Sequence, residues 1–219
     1  MDTNTGLREI IRNYKDIKLE VFRKGDFLFT ENEKPKGIYC IETGSVKIFK
    51  KDHTAMERIL YLAMCGDILG LHSVVNSHPY TNSAVAISDT SATFISYDDF
   101  MTLLKSNNTY KLLVMKELCS RIDTMEVHIV GISEKMSEER FADTLLMLID
   151  KYGINNSNTL NVNLTLDELA NFTCTSKSYM KKIVSDFSSK GLVSISADTI
   201  KILNLPKIKN IVNPNINSL

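Results

Sequence analysis

Between Thr175 and Lys182 the chain has the make-up of a polyanion contact. Its polar and cationic members are Thr175, Ser176, Lys177, Ser178, Tyr179, Lys181 and Lys182. Ammonium groups suit phosphates and guanine edges, and short hydroxyl side chains let a backbone approach a base pair. Read as a helix, Lys177, Ser178, Lys181, Lys182 and Ser185 share one face, opposite Met180, Ile183, Val184 and Phe187. A merely solvated helix face would carry the same lysines. What favours nucleic acid is the set of elements around it.

Those elements are legible from their caps. Thr165-Leu166-Asp167-Glu168 has the spacing of a capping box, Thr at the cap and Glu three residues on. It opens a short helix to Phe172 with Leu166, Leu169 and Ala170 inward. Thr173-Cys174-Thr175 breaks it, and Ser176 caps a second helix to about Lys190, closed by Gly191. Two helices joined by a three-residue turn predict a helix-turn-helix, with Cys174 near the place where such turns usually carry glycine. Leu192–Ile195 and Thr199–Ile202, joined through Ala197-Asp198, predict a hairpin wing. Upstream, Ser137 is the expected cap of a helix with Phe141, Leu145, Leu146, Leu148 and Ile149 inward. The polar stretch Gly153–Asn161 reads as a linker. Around Pro206, Leu205, Ile208, Ile211 and Val212 have roughly helical spacing, and the Asn-rich end from Asn213 is expected to fray.

The 219 residues suffice for one large or two modest domains, and an apolar fraction of 43% with 24% charge is that of an ordinary globular chain. Net charge is zero but unevenly placed. From Asn155 onward seven lysines face four acids, a net of plus three, leaving minus three on the first 154 residues. This asymmetry points the C-terminal part toward a polyanion. Cys40, Cys65, Cys119 and Cys174 form no C-x-x-C pair, so no metal site is expected and reduced thiols are. Residues 1–6 lack the apolar core of a signal peptide, and no apolar run reaches membrane-spanning length. The expectation is a cytoplasmic protein with no membrane partner. No nucleophile–base pair, paired acids or P-loop is visible, which argues against an enzyme.

The remaining chain changes texture twice. Leu7, Ile10, Ile11 and Tyr14 predict a short opening helix. From Lys18 to about Tyr97, short alternating segments are punctuated by Lys24-Gly25-Asp26, Thr43-Gly44-Ser45 and Cys65-Gly66-Asp67. They predict an antiparallel sandwich or jelly-roll barrel. A short helix from Asp98 to Ser106, capped by Asp98 or Asp99, follows. Then Met115, Leu118, Ile122, Met125, Ile129, Ile132 and Met136 recur at alternating spacings of three and four. That is an a/d heptad over about Tyr110–Met136, the seam of a helix facing a partner helix. Leu112, Leu113, Cys119 and Val127 widen the stripe toward that of an internal core helix; the strict register favours a homodimer. The expected class is α+β: an N-terminal antiparallel β jelly-roll barrel (1–109), a long dimerisation helix (110–136) and a C-terminal winged helix-turn-helix with tail (137–219).

This order resembles the Crp/Fnr family of bacterial transcription regulators over residues 7 to 203. The matching pieces are Phe22-Arg23-Lys24-Gly25-Asp26, Gly37-Ile38-Tyr39, Ile41-Glu42-Thr43-Gly44-Ser45-Val46, Gly66-Asp67 with Gly70, Ser83-Ala84, and Leu192-Val193. The resemblance implies a homodimer with a cyclic-nucleotide-binding-like sensor barrel. Its two recognition helices would lie about one turn apart on a pseudo-palindromic double-stranded DNA operator. RNA polymerase would be a further partner if the protein activates. The rival is a small-molecule sensor acting through protein contacts instead of DNA.

Departures from the family pattern bear on the effector. Members that bind cyclic AMP carry a Gly-Glu pair and an Arg-Ser pair in the phosphate cassette; here Gly70-Leu71 and Asn82-Ser83 occupy those places. A buried phosphate without a cation is badly compensated. Aligned without gaps back from Arg140, Met125 and Glu126 fall where those members place a Thr-Ser pair facing the base. The expectation is no productive cyclic AMP binding at a pocket formed by Gly70, Leu71, His72, Asn82, Ser83, Met125 and Glu126. Two readings stay open, another small molecule near Asn82 and Ser83 or no ligand. Haem would draw on His72, or on His53, His78 or His128, and Cys65 with His72 is too thin a set for a metal. No cofactor is expected. In the recognition helix, the family's Arg-Glu pair and later Arg correspond to Lys177, Ser178 and Lys182. Lys177 and Lys182 are therefore the base-contact candidates, and Ser176 and Tyr179 the phosphate contacts.

Overall fold

The computed structural model describes residues 3–14 and 17–212; the side chains of residues 3–5, 127, 128, 132 and 133 lie outside the description, and with them the expected seam position Ile132 and the candidate His128. The Asn-rich end from residue 213 also lies outside it. The chain divides into two compact units, Met1–Glu126 and Val127–Leu219.

The first unit opens with α1 (Thr3–Arg12), whose Leu7 and Ile11 are fully buried. Eight strands follow: β1 (Lys18–Phe22), β2 (Phe27–Phe29), β3 (Gly37–Thr43), β4 (Ser45–Lys51), β5 (Glu57–Met64), β6 (Ile68–Leu69), β7 (Ser83–Ala86) and β8 (Thr90–Ser96). They form two four-stranded antiparallel sheets, in the orders β1-β8-β3-β6 and β2-β7-β4-β5. Alternation alone does not describe β4. A register shift between Ile48 and Phe49 buries Phe49 beside Ile48, and Lys47 is buried by pairing with Glu57 at 2.7 Å. Gly44 sits at φ 84 between β3 and β4, where a Cβ would collide with the backbone of Asp89 and Thr90, so that turn demands glycine.

Two elements of this unit escape periodicity because they are too short to show it: β6 and helix α2 (Leu71–Asn76). The expected cap of α3 (Tyr97–Ser106) is corrected. Ser96, not Asp98 or Asp99, is the cap, its hydroxyl accepting from Asp99 N, while the two acids occupy the first turn.

Helix α4 (Asn108–Glu134) is about 40 Å long at 1.5 Å per residue. Tyr110, Leu113, Val114 and Leu118 pack against the core of Leu7, Ile11, Ile38, Phe100 and their neighbours. On its outer side Met115, Ile122, Met125 and Ile129 are more than half exposed in the single chain. The heptad extends one position beyond the helix. Met136 lies beyond α4 and is the residue before α5 (Ser137–Tyr152). The cap of α5 therefore differs from expectation: Glu139 Oε2 accepts from Met136 N at 2.8 Å, and Ser137 is the first helical residue.

The second unit contains α5, α6 (Leu166–Phe172), α7 (Lys177–Ser189), the hairpin β9 (Val193–Ser196) and β10 (Thr199–Ile202), and α8 (Leu205–Val212). Phe141, Leu145, Leu148, Leu169, Met180, Ile183, Phe187, Ile200 and Ile208 make its core, and the Phe141 and Phe187 rings meet edge to face at 5.0 Å. Each buried phenyl of this kind contributes roughly 1.5–3 kcal/mol. The expected tail helix is present as α8, packed on α5 through Ile208. The stretch Gly153–Asn161 is not a linker. Asn155 Oδ1 accepts from Ser157 N and Thr159 N, Ile154 bridges to Leu160, and Thr159 bridges to Lys201 of the wing. Its asparagines fold a turn onto the hairpin rather than leaving a tether.

Candidate nucleic-acid interface

The helix-turn-helix is built as its caps dictate. Thr165 Oγ1 accepts from Glu168 N at 3.3 Å and Glu168 Oε2 accepts from Thr165 N at 2.9 Å, the reciprocal pair that starts α6. Thr173 N bonds to Leu169 O and Thr175 N to Ala170 O, closing the helix. Between them Cys174 takes φ 51, the left-handed conformation that glycine usually provides, at a cost of order 1–3 kcal/mol for a residue with a Cβ. Arg140 supports this turn. Its Nε donates to Thr173 O at 2.9 Å, with Nη1 on Lys135 O and Nη2 on Ser137 Oγ. Spacing could not reveal that role, because the turn lies 33 residues away in sequence.

Ser176 Oγ accepts from Tyr179 N and starts α7. Met180, Ile183 and Phe187 are buried, so the face carrying Ser176, Lys177, Ser178, Tyr179, Lys181 and Lys182 is turned to solvent; Thr175 is half-buried. The cations on that face are not equivalent. Lys177 Nζ donates to Asp167 Oδ2 at 2.6 Å, and Tyr179 Oη donates to Glu138 Oε1 at 2.8 Å. The Glu138 carboxylate holds the Tyr179 phenol above its ordinary pKa. Among the described residues Lys181 and Lys182 have no ion pair, and they line an open groove with Ser185, Asp186 and Ser189. The wing turns at Ala197, φ 53, and Asp198 O accepts from Leu164 N at 2.9 Å, tying its tip to the start of α6.

The residues expected around an effector are placed differently. Gly70 is the N-cap of α2 at φ 80, and a Cβ there would press on Gly37 O and the Tyr80 ring. Leu71 is buried in the same core as Leu7 and Phe100, so it presents no polar group. Ser83 is buried with its hydroxyl accepting from Glu31 N at 2.9 Å, and Asn82 is half-buried. His72 is exposed beside His78, ring centroids 4.9 Å apart, and partial burial followed by the neighbouring imidazole lowers its pKa. Met125 and Glu126 are exposed on α4.

Two features near the cassette depend on contacts distant in sequence. Inside the barrel, Phe29 stacks on Tyr80 at 4.0 Å, Tyr39 meets Phe94 at 4.9 Å, and Tyr80 Oη donates to Gly37 O. From α4, Arg121 donates to Glu117 Oε1 at 2.9 Å, to Tyr61 Oη at 2.9 Å and to Ile68 O. Burial raises the Tyr61 pKa, with Arg121 opposing that rise. Of the four free cysteines Cys40 is buried, which pushes its thiol pKa up to about 12, while Cys65, Cys119 and Cys174 are exposed.

Comparisons with known proteins agree with this architecture. The cyclic nucleotide-binding domain family matches residues 19–107, and the Crp-like helix-turn-helix domain family matches residues 139–211. The chain is 24% identical over 190 residues to the CRP-like cAMP-activated global transcriptional regulator of Mycobacterium tuberculosis, covering 86% of this chain and 85% of that one. It is 21% identical over 201 residues to the transcriptional activator protein Anr of Pseudomonas protegens, covering 90% and 80%. The fold is shared with a CRP/FNR-family transcriptional regulator of Thermus thermophilus, at TM-score 0.75 and 18% identity, covering 89% and 98%. With a cyclic-nucleotide-binding-type barrel and a Crp-type helix-turn-helix in one chain, the protein belongs to the Crp/Fnr family of transcription regulators.

Proposed function

We propose that the protein is a homodimeric, sequence-specific, non-enzymatic regulator that binds a pseudo-palindromic operator in the cytoplasm without needing cyclic AMP. The observation carrying the dimer is the exposed stripe Met115, Ile122, Met125 and Ile129 on α4, apolar surface of the kind that folding leaves for a second copy. Leu118, the expected seam position between Met115 and Ile122, instead packs half-buried against the sensor core of its own chain. The cassette supports independence from cyclic AMP: Leu71 is packed into the core, and the Ser83 hydroxyl is already engaged by Glu31. Neither supplies charge to a cyclic phosphate. The relative from Mycobacterium tuberculosis is cAMP-activated, so this is where the chain departs from it. If the protein activates, the dimer would present itself to RNA polymerase. No helix among the described residues is long and apolar enough to cross a membrane.

Sedimentation and calorimetry test this reading. The wild type is expected to sediment as a dimer and to release no heat on titration with cyclic AMP. Replacing Met125 and Ile129 together with Lys is expected to give monomers. A variant that stays dimeric would place the interface elsewhere, and saturable cyclic AMP binding would overturn the effector reading.

A further inference from the structure

Three helix N-termini hold the acids and DNA-facing side chains of one cluster. Glu138 lies in the first turn of α5 and Asp167 in the first turn of α6, while Lys177 and Tyr179 belong to the first turn of α7. Helix N-termini carry partial positive charge and stabilise anions, so each carboxylate is held in place by its own helix. Each also accepts a hydrogen bond from α7, Asp167 from Lys177 at 2.6 Å and Glu138 from Tyr179 at 2.8 Å. A carboxylate and a phosphate oxygen ask for the same donors.

We propose that Glu138 and Asp167 are affinity-limiting residues of the DNA interface, their carboxylates occupying the donors of Tyr179 and Lys177 that acceptors on the DNA, a phosphate for Tyr179 and a base edge for Lys177, must take over. Lys181 and Lys182, without such pairs among the described residues, are free to engage first. When Lys177 leaves Asp167 for the DNA, the abandoned carboxylate gathers a counter-cation. That uptake cancels part of the cation release that drives protein–DNA association. The wild type therefore binds more weakly, and less steeply with salt, than its lysines alone would dictate. This inference rests on DNA being the ligand of α7.

The test is a salt titration of binding to a random-sequence duplex, using the full chain. Glu138→Gln with Asp167→Asn is expected to bind about tenfold more tightly at low salt, the sum of two exposed pairs. Asp167→Asn alone is expected to steepen the plot of log K against log salt by about one. In a Lys177→Gln background, Asp167→Asn should bring no further gain, which ties the effect to release of Lys177. Glu9→Gln, an exposed acid of α1, controls for net charge and should not reproduce the effect. Unchanged or weaker binding by the double variant overturns the proposal, as does an equal gain from Glu9→Gln. Failure of the wild type to bind any duplex would remove the DNA reading together with it.

Discussion

Arg121–Glu117 in the sensor unit and Lys177–Asp167 in the DNA-reading unit are cation–carboxylate pairs of similar length, 2.9 and 2.6 Å, with opposite character. Glu117 is nearly buried, with 8% of its side chain exposed, and Arg121 spends further donors on Tyr61 and Ile68. Both members of the Lys177 pair are 56% exposed. Coulomb energy at fixed distance grows as the local dielectric falls, and so does the penalty for leaving one partner unpaired. The first pair is therefore a fixture that joins α4 to strands β5 and β6. Water competes continuously for the second, which leaves its lysine available to incoming DNA. Distance alone would have ranked them the other way.

Breaking the buried pair should have the largest effect. Arg121→Met strands Glu117 and frees Tyr61 and the Ile68 carbonyl, and is expected to lower stability by about 3–5 kcal/mol in urea unfolding. A change within about 0.5 kcal/mol would mean that water reaches this site freely. On the other unit, Lys182→Ala is expected to weaken operator binding by roughly 1–3 kcal/mol and to relax preference at one base position. Equal weakening on every sequence in a binding assay would reassign Lys182 to phosphate. An intermediate case is Glu42, whose carboxylate hydrogen bond with Arg12 outweighs burial and, with Thr93, holds its pKa below the ordinary value. A depressed folded pKa gives stability that is present above the unfolded pKa, about 4.3 for glutamate, and lost as pH falls through the folded value. Arg12→Ala should flatten that acid dependence in urea titrations at a series of pH values. The smallest effect belongs to Lys177→Gln, expected to change unfolding stability by less than about 1 kcal/mol.

What could be read from sequence follows the range of the forces involved. Caps at Thr165 and Ser176 and the hairpin through Ala197 are local, and the structure shows all of them. Cys174 holds the place of the turn that usually carries glycine, and its φ of 51 is the left-handed conformation that explains the usual preference for glycine there. The heptad gave the long helix but not its end, because a periodic pattern continues through a break that backbone caps decide at Met136. The Asn-rich stretch read as a tether because asparagine marks loops in general. Here Asn155 uses its side chain to fold a turn against Lys201. Contacts of long range were not legible. Arg121 meets Tyr61 across 60 residues, and Arg140 meets Thr173 across 33, with no periodicity to announce either. The cassette was half legible. Missing charge at Leu71 and Asn82 was plain in the residue types, whereas the Ser83–Glu31 bond and the stacked Phe29 and Tyr80 depend on the closed barrel.

Selection of bound sites from a pool of random duplex DNA decides whether α7 reads sequence without a nucleotide. A pseudo-palindrome whose half-sites lie about one helical turn apart is expected to be enriched without any added nucleotide, and the same motif when cyclic AMP is present. Enrichment only when cyclic AMP is added would contradict the reading of the cassette. No enrichment under either condition would contradict the assignment of α7 as a DNA-reading helix.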